Sequence, residues 1–244
     1  MTYQWTWSSR GDSNLGEGAP ARSRPPRDPV DVWCDLHVMF RAASEADGVT
    51  PGSVRAGDLP PIEEGQGHDV PTTVVDVRRY FPMHHFMDEL DFNRRHDGRH
   101  SRAPAWLFPR LCPRGRTSLI SVVMDLLVEA ASVRFYQVVI FCVCRHGRHR
   151  SVSAAIALAH FFHRVCGLRT DSMMLDRVSS DGRHASRLCS IRGCMNCSAR
   201  EGWSPTEEEV ALVRAPFVEL LRGRLAEASA VRQPFYCCLL DASD

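Results

Sequence analysis

Apolar positions in this chain cluster in short runs whose spacing switches between strand-like and helix-like. Val32-Trp33-Cys34-Asp35-Leu36-His37-Val38-Met39-Phe40 reads as a first strand. Thr72-Thr73-Val74-Val75-Asp76-Val77-Arg78 is β-branched and ends on an acid and a base. Ile120, Val123, Met124, Leu127 and Ala131 repeat at helical spacing, with Thr117 or Ser118 placed to cap. Phe135 to Val143 is almost continuously apolar, as a strand buried on both faces of a parallel sheet requires. The stretch from Ser151 to Cys166 puts Val152, Ile156, Ala159 and Phe162 on one helical face. Strand, loop, helix is the α/β unit, so the pattern predicts a mostly parallel sheet with flanking helices.

The flanks are read in the same way. Residues 1–31 carry Gly, Ser, Pro, Arg and Asp without periodicity and read as a disordered leader. The Gly/Pro-rich, acidic stretch up to about residue 70 reads as a long loop. Ser204-Pro205-Thr206-Glu207 predicts a C-terminal helix over 205–230, with Ser204 as cap and a kink at Pro216. Adjacent Cys237 and Cys238 suggest core positions of a short terminal strand. The domain is expected over 32–240, with its core at 70–170.

Composition narrows the chemistry. The 30 basic side chains are all arginine, which excludes a P-loop lysine, a Schiff base and a Ser–Lys dyad. Net charge is only +1, but it is segregated: residues 94–116 hold seven Arg and one Asp, and 201–244 hold four Arg and eight acids. A basic stripe of this kind suits a phosphate-bearing partner, RNA included. Ten cysteines without a signal-peptide pattern point to a reducing, intracellular setting. No apolar run is long enough to predict a membrane span.

The segment Cys144-Arg145-His146-Gly147-Arg148-His149-Arg150-Ser151 lies where the buried strand gives way to a helix. Unpaired amides at a helix start, together with the helix dipole, favour an anion. Gly147 permits a tight turn, Arg150 offers a guanidinium fork, and Ser151 can cap or donate. The expectation is an anion-binding loop made by Cys144, His146, Gly147, Arg148, His149, Arg150 and Ser151, with Asp76 and Arg78 at the neighbouring strand end.

Two families share Cys-x-x-Gly-x-x-Arg-Ser at such a place. In cysteine-dependent phosphatases the thiolate attacks phosphorus and an upstream Asp protonates the leaving oxygen; that reading makes Cys144 and Arg150 catalytic. Here, however, Gly98 to Met124 contains no acid, and the usual His before the nucleophile is Val143. The second resemblance is closer. Gly147-Arg148-His149-Arg150-Ser151-Val152, preceded by Cys144, resembles the loop of the RapZ C-terminal domain family of RNase adapter proteins. The Asp76-Val77-Arg78 and Pro82-Met83-His84-His85 segments match that family's earlier strand end, although His146 and Phe81-Pro82 depart from its pattern. The resemblance implies an α/β sensor or adapter, not a catalyst. It implies that a phosphorylated metabolite is bound by Cys144, His149, Arg150, Ser151 and His84, and that RNA is a further partner.

Downstream, His184, Cys189, Cys194 and Cys197 bring an imidazole and three thiolates within fourteen residues. That set can close a tetrahedral structural zinc site and staple an otherwise core-poor insertion over 184–197.

Overall fold

In the computed structural model, alternation along the β3 strand, Gln137–Cys144, feeds two separate apolar layers. Val138, Ile140, Cys142 and Cys144 belong to the large core, while Val139, Phe141 and Val143 join Met39, Ala43 and Val74 on the other face. The structure describes residues 35–45, 72–81, 95–112, 118–132, 135, 137–171, 189–192, 194–198, 202–230 and 232–241. The expected leader at 1–31, most of the 41–70 loop, and His84 and His184 lie outside these.

Strands β1 (His37–Ser44), β2 (Thr72–Asp76), β3 and β4 (Arg169–Asp171) form a parallel sheet in the order β2-β3-β1-β4. β1 begins five residues later than the apolar run predicts, because pairing with β3 sets its limits: His37 lies opposite Gln137 and Ser44 opposite Cys144. Asp76 is level with Val143, so Ser44, Asp76 and Cys144 share the carboxyl edge of the sheet. Loops leaving that edge are where α/β sheets usually meet ligands.

Helices α1 (Arg102–Leu107), α2 (Leu119–Ser132) and α3 (Arg150–Arg164) follow in chain order. α2 takes Ser118 as its cap: the Ser118 hydroxyl accepts the Ser121 N–H at 3.0 Å. α3 is buried along most of its length and packs on β1, β3 and β4, with Phe162 stacked 5.9 Å from Phe40. Across its other side Phe161 meets Phe217 edge-on at 5.0 Å.

Phe217 belongs to a long helix that follows α4, the single turn Met195–Ser198. This α5 (Glu207–Glu227) continues through Pro216, and its cap is Thr206 rather than Ser204. Thr206 Oγ1 accepts the Glu209 N–H at 3.2 Å, and Glu209 accepts the Thr206 N–H at 2.8 Å. The expected terminal strand is instead a helix, α6 (Gln233–Asp241). Phe235, Tyr236 and Leu239 fall on one helical face and are buried, which leaves Cys237 exposed. No helix among the described residues is long and apolar enough to cross a membrane.

Candidate anion loop and metal centre

The segment from Cys144 to Arg150 links the end of β3 to the start of α3. Gly147 adopts φ 61°, the left-handed conformation that glycine tolerates, and this turns the chain back into the helix. Cys144 is almost fully buried, and its thiol lies 3.2 Å from the Ser151 hydroxyl at the loop floor. Arg145 and His146 are exposed at the rim. Among the described residues no backbone carbonyl takes the amides of Arg145, His146 or Gly147.

Three predicted ligand residues divide by role. Arg150 donates to Phe81 O at 2.9 Å, which ties the loop to the segment after β2, and its other guanidinium N–H groups have no hydrogen-bond partner among the described residues. Half-burial holds this arginine below its ordinary pKa; the Cys144 sulfur and Asp76 favour its charge and Arg78 opposes it. It remains charged at any working pH. Arg148 and His149 face the other way. Arg148 donates to Arg95 O at 2.6 Å and to His96 O at 3.2 Å, and His149 Nε2 lies 2.8 Å from that same His96 carbonyl. A carbonyl only accepts, so Nε2 carries the proton. Their side chains hold the protein together where the sequence suggested ligand contacts.

Asp76 and Arg78 do stand at the strand end, but they are bound to each other. Arg78 donates through Nε and Nη2, both at 2.8 Å, and through its backbone N–H at 3.0 Å. Glu45 adds a further ion pair with Arg78 at 2.5 Å. Burial pushes the Asp76 carboxyl up, but the hydrogen bonds and charge of Arg78, with Arg79 beyond, outweigh it and hold the pKa below the usual carboxylate value.

The three downstream cysteines come together as expected, and the histidine that joins them is His96. His184, the expected fourth ligand, lies outside the described residues. His96 Nδ1 is 3.4 Å from Cys194 Sγ, 3.5 Å from Cys197 Sγ and 3.7 Å from Cys189 Sγ, and the four ligand atoms all lie within 4.8 Å of one another. A tetrahedral zinc with bonds of about 2.3 Å to sulfur and 2.0–2.1 Å to nitrogen sets N···S edges of about 3.6 Å. The His96–sulfur distances are compatible with such an ion.

Outer contacts orient these ligands. Burial raises the Cys194 thiol, but hydrogen bonds from the Cys197 amide and side chain, the Cys189 side chain and the Asn196 amide outweigh it, and its pKa falls. Cys197 is pushed up by burial despite the Asp97 amide at its sulfur. Buried Asp97 accepts the Cys189 N–H at 2.9 Å and the Arg99 N–H at 2.8 Å. Arg95 O accepts the Ser190 N–H at 2.9 Å, and the His96 ring lies 4.2 Å from that of His100, tilted by 50°. Within the basic stripe half-buried Arg99 pairs with Asp97, while exposed Arg110 lies 4.2 Å over the Trp106 ring.

His96 was not identified from the sequence because it sits 93 residues before Cys189, inside an arginine-rich stretch. Its one local signal is the following Asp97-Gly98. Gly98 packs so closely on α3 that a Cβ there would lie 2.2 Å from His149 O. No family model, no curated protein and no solved structure matches this chain.

Proposed function

We propose that the chain binds a phosphate-bearing small molecule at the Cys144–Ser151 loop and acts as a sensor or adapter module of the RapZ C-terminal type. A zinc ion held by His96, Cys189, Cys194 and Cys197 serves as a structural staple. The supporting observation is Arg150: a half-buried guanidinium beside Cys144, with donors that have no hydrogen-bond partner among the described residues, at the first turn of a 15-residue helix. Four protein ligands leave the metal no open position, which fits a structural role. RNA draws less support, since Arg99 of the basic stripe is already paired with Asp97.

The alternative is a cysteine-dependent phosphatase, favoured by the 3.2 Å contact between Cys144 and Ser151 and by the five residues separating Cys144 from Arg150. Against it stands the lack of a proton donor among the described acids near the loop. Asp76 is held ionised by Arg78, and Asp97 is buried against Arg99 and the Cys189 amide. Titration calorimetry with inorganic phosphate and a phosphorylated sugar tests the first reading. Arg150→Met is expected to weaken binding at least tenfold, the loss of about 1.4 kcal/mol or more that a charged hydrogen bond supplies. Undiminished binding by that variant refutes the assignment. Phosphoester turnover that vanishes in Cys144→Ser establishes the enzyme instead.

A further inference from the structure

We propose that occupancy of the metal centre sets how tightly the Cys144–Ser151 loop holds its anion, with Arg148 and His149 as the link. The proposal rests on the anion-binding reading above and adds to it a means of regulation.

The short segment 95–98 has two sides. One side faces the metal ligands: His96 contributes its imidazole, Arg95 O accepts the Ser190 N–H, and Asp97 holds the Cys189 amide. The other faces the anion loop. The carbonyls of Arg95 and His96 accept from Arg148, and His149 Nε2 donates to the His96 carbonyl. Ser153 Oγ likewise donates to Gly98 O at 3.0 Å, and in the reverse direction Gly98 N–H donates to Arg148 O at 2.8 Å. The peptide carrying a metal ligand is thus hydrogen-bonded to the two loop residues that precede Arg150.

The Cys189 and Ser190 amides tie the cysteine side to Asp97 and Arg95, and the ion would supply the remaining hold. Of the described side chains between 189 and 197, Cys197 alone is buried, so apolar packing contributes little there. With metal bound, the imidazole and the three sulfurs are drawn to one point; without it, that shared anchor is lost. The carbonyls of Arg95 and His96 then lose their fixed position, and Arg148 and His149 lose the partners that keep the loop in its anion-accepting shape. Metal and anion therefore favour the same arrangement, and each raises the other's affinity by one common factor.

The experiment uses the full chain loaded with zinc. Zinc affinity is measured by competition with a chromophoric chelator, with and without saturating inorganic phosphate. Phosphate affinity is measured on the loaded and the stripped chain. Wild type is expected to show the same factor in both directions, about tenfold. Arg148→Met is expected to keep about one zinc per chain and to reduce the factor to less than about twofold. Equal phosphate affinity with and without zinc overturns the linkage and leaves the anion site standing. Failure of the loaded chain to bind phosphate overturns the anion site itself. If stripping unfolds the chain, the rate of zinc transfer from the loaded protein to chelator decides: slowing by phosphate that persists undiminished in Arg148→Met means the coupling runs through global unfolding, and the proposal falls.

Discussion

An added methyl group at Gly98 would meet the His149 carbonyl at 2.2 Å and the Val152 and Ser153 side chains at 2.8 Å, all at the start of the α3 helix. Backbone cannot yield as a flexible side chain does, so Gly98→Ala is expected to cost about 1–3 kcal/mol in thermal or urea unfolding. Gly223, inside α5 with open space around it, is the matched control: Gly223→Ala should stabilise by about 0.5–1 kcal/mol. Asp76 carries a pH prediction. Its folded pKa lies below the ordinary 3.8, so the Arg78 pairing contributes fully above that value and is lost as pH falls through the folded pKa. Unfolding free energy measured against pH should therefore drop on the acid side below about pH 4, and Asp76→Asn should flatten that limb. An unchanged acid limb in the variant assigns the slope to other carboxylates.

At the scale of elements, most of the sheet and its central helices were legible because period and length agreed. The apolar run before Cys144 had a strand's length, and Ile120, Val123, Met124 and Leu127 kept helical spacing into a serine cap. Errors arose where local sequence admitted two readings. Ser204 and Thr206 each stand three residues before a Glu, and both frames satisfy a capping box. Burial of Trp203, 5.4 Å from Phe108, is a tertiary contact that the local pattern does not contain. Thr206→Ala is expected to lower stability by about 1 kcal/mol, and Ser204→Ala by far less. The Tyr236-Cys237-Cys238-Leu239 run is short and apolar, a length at which strand and helix look alike.

At the scale of the molecule, three members of the candidate metal site were visible as a cluster in sequence and the fourth was not. Spacing rules see Cys-x2-Cys because the chain itself brings those sulfurs together; only the fold brings His96 to them. The Gly147 turn between strand and helix was legible in the sequence; the carbonyls of Arg95 and His96, to which Arg148 and His149 turn, were not, because only the fold brings them there. Metal analysis of the purified chain should give about one zinc, and His96→Ala should retain markedly less. Full zinc retention in that variant assigns the ligand elsewhere.

Sheet order also bears on how the chain reaches this state during synthesis. β1 is an inner strand, yet its partner β3 emerges about a hundred residues later, and β4, on its other edge, later still. Long-range parallel pairing of this kind folds slowly and leaves strand edges open to wrong partners in the meantime. A crowded refolding reaction is therefore where this protein should be lost to aggregates, and lower protein concentration or lower temperature should raise its soluble yield.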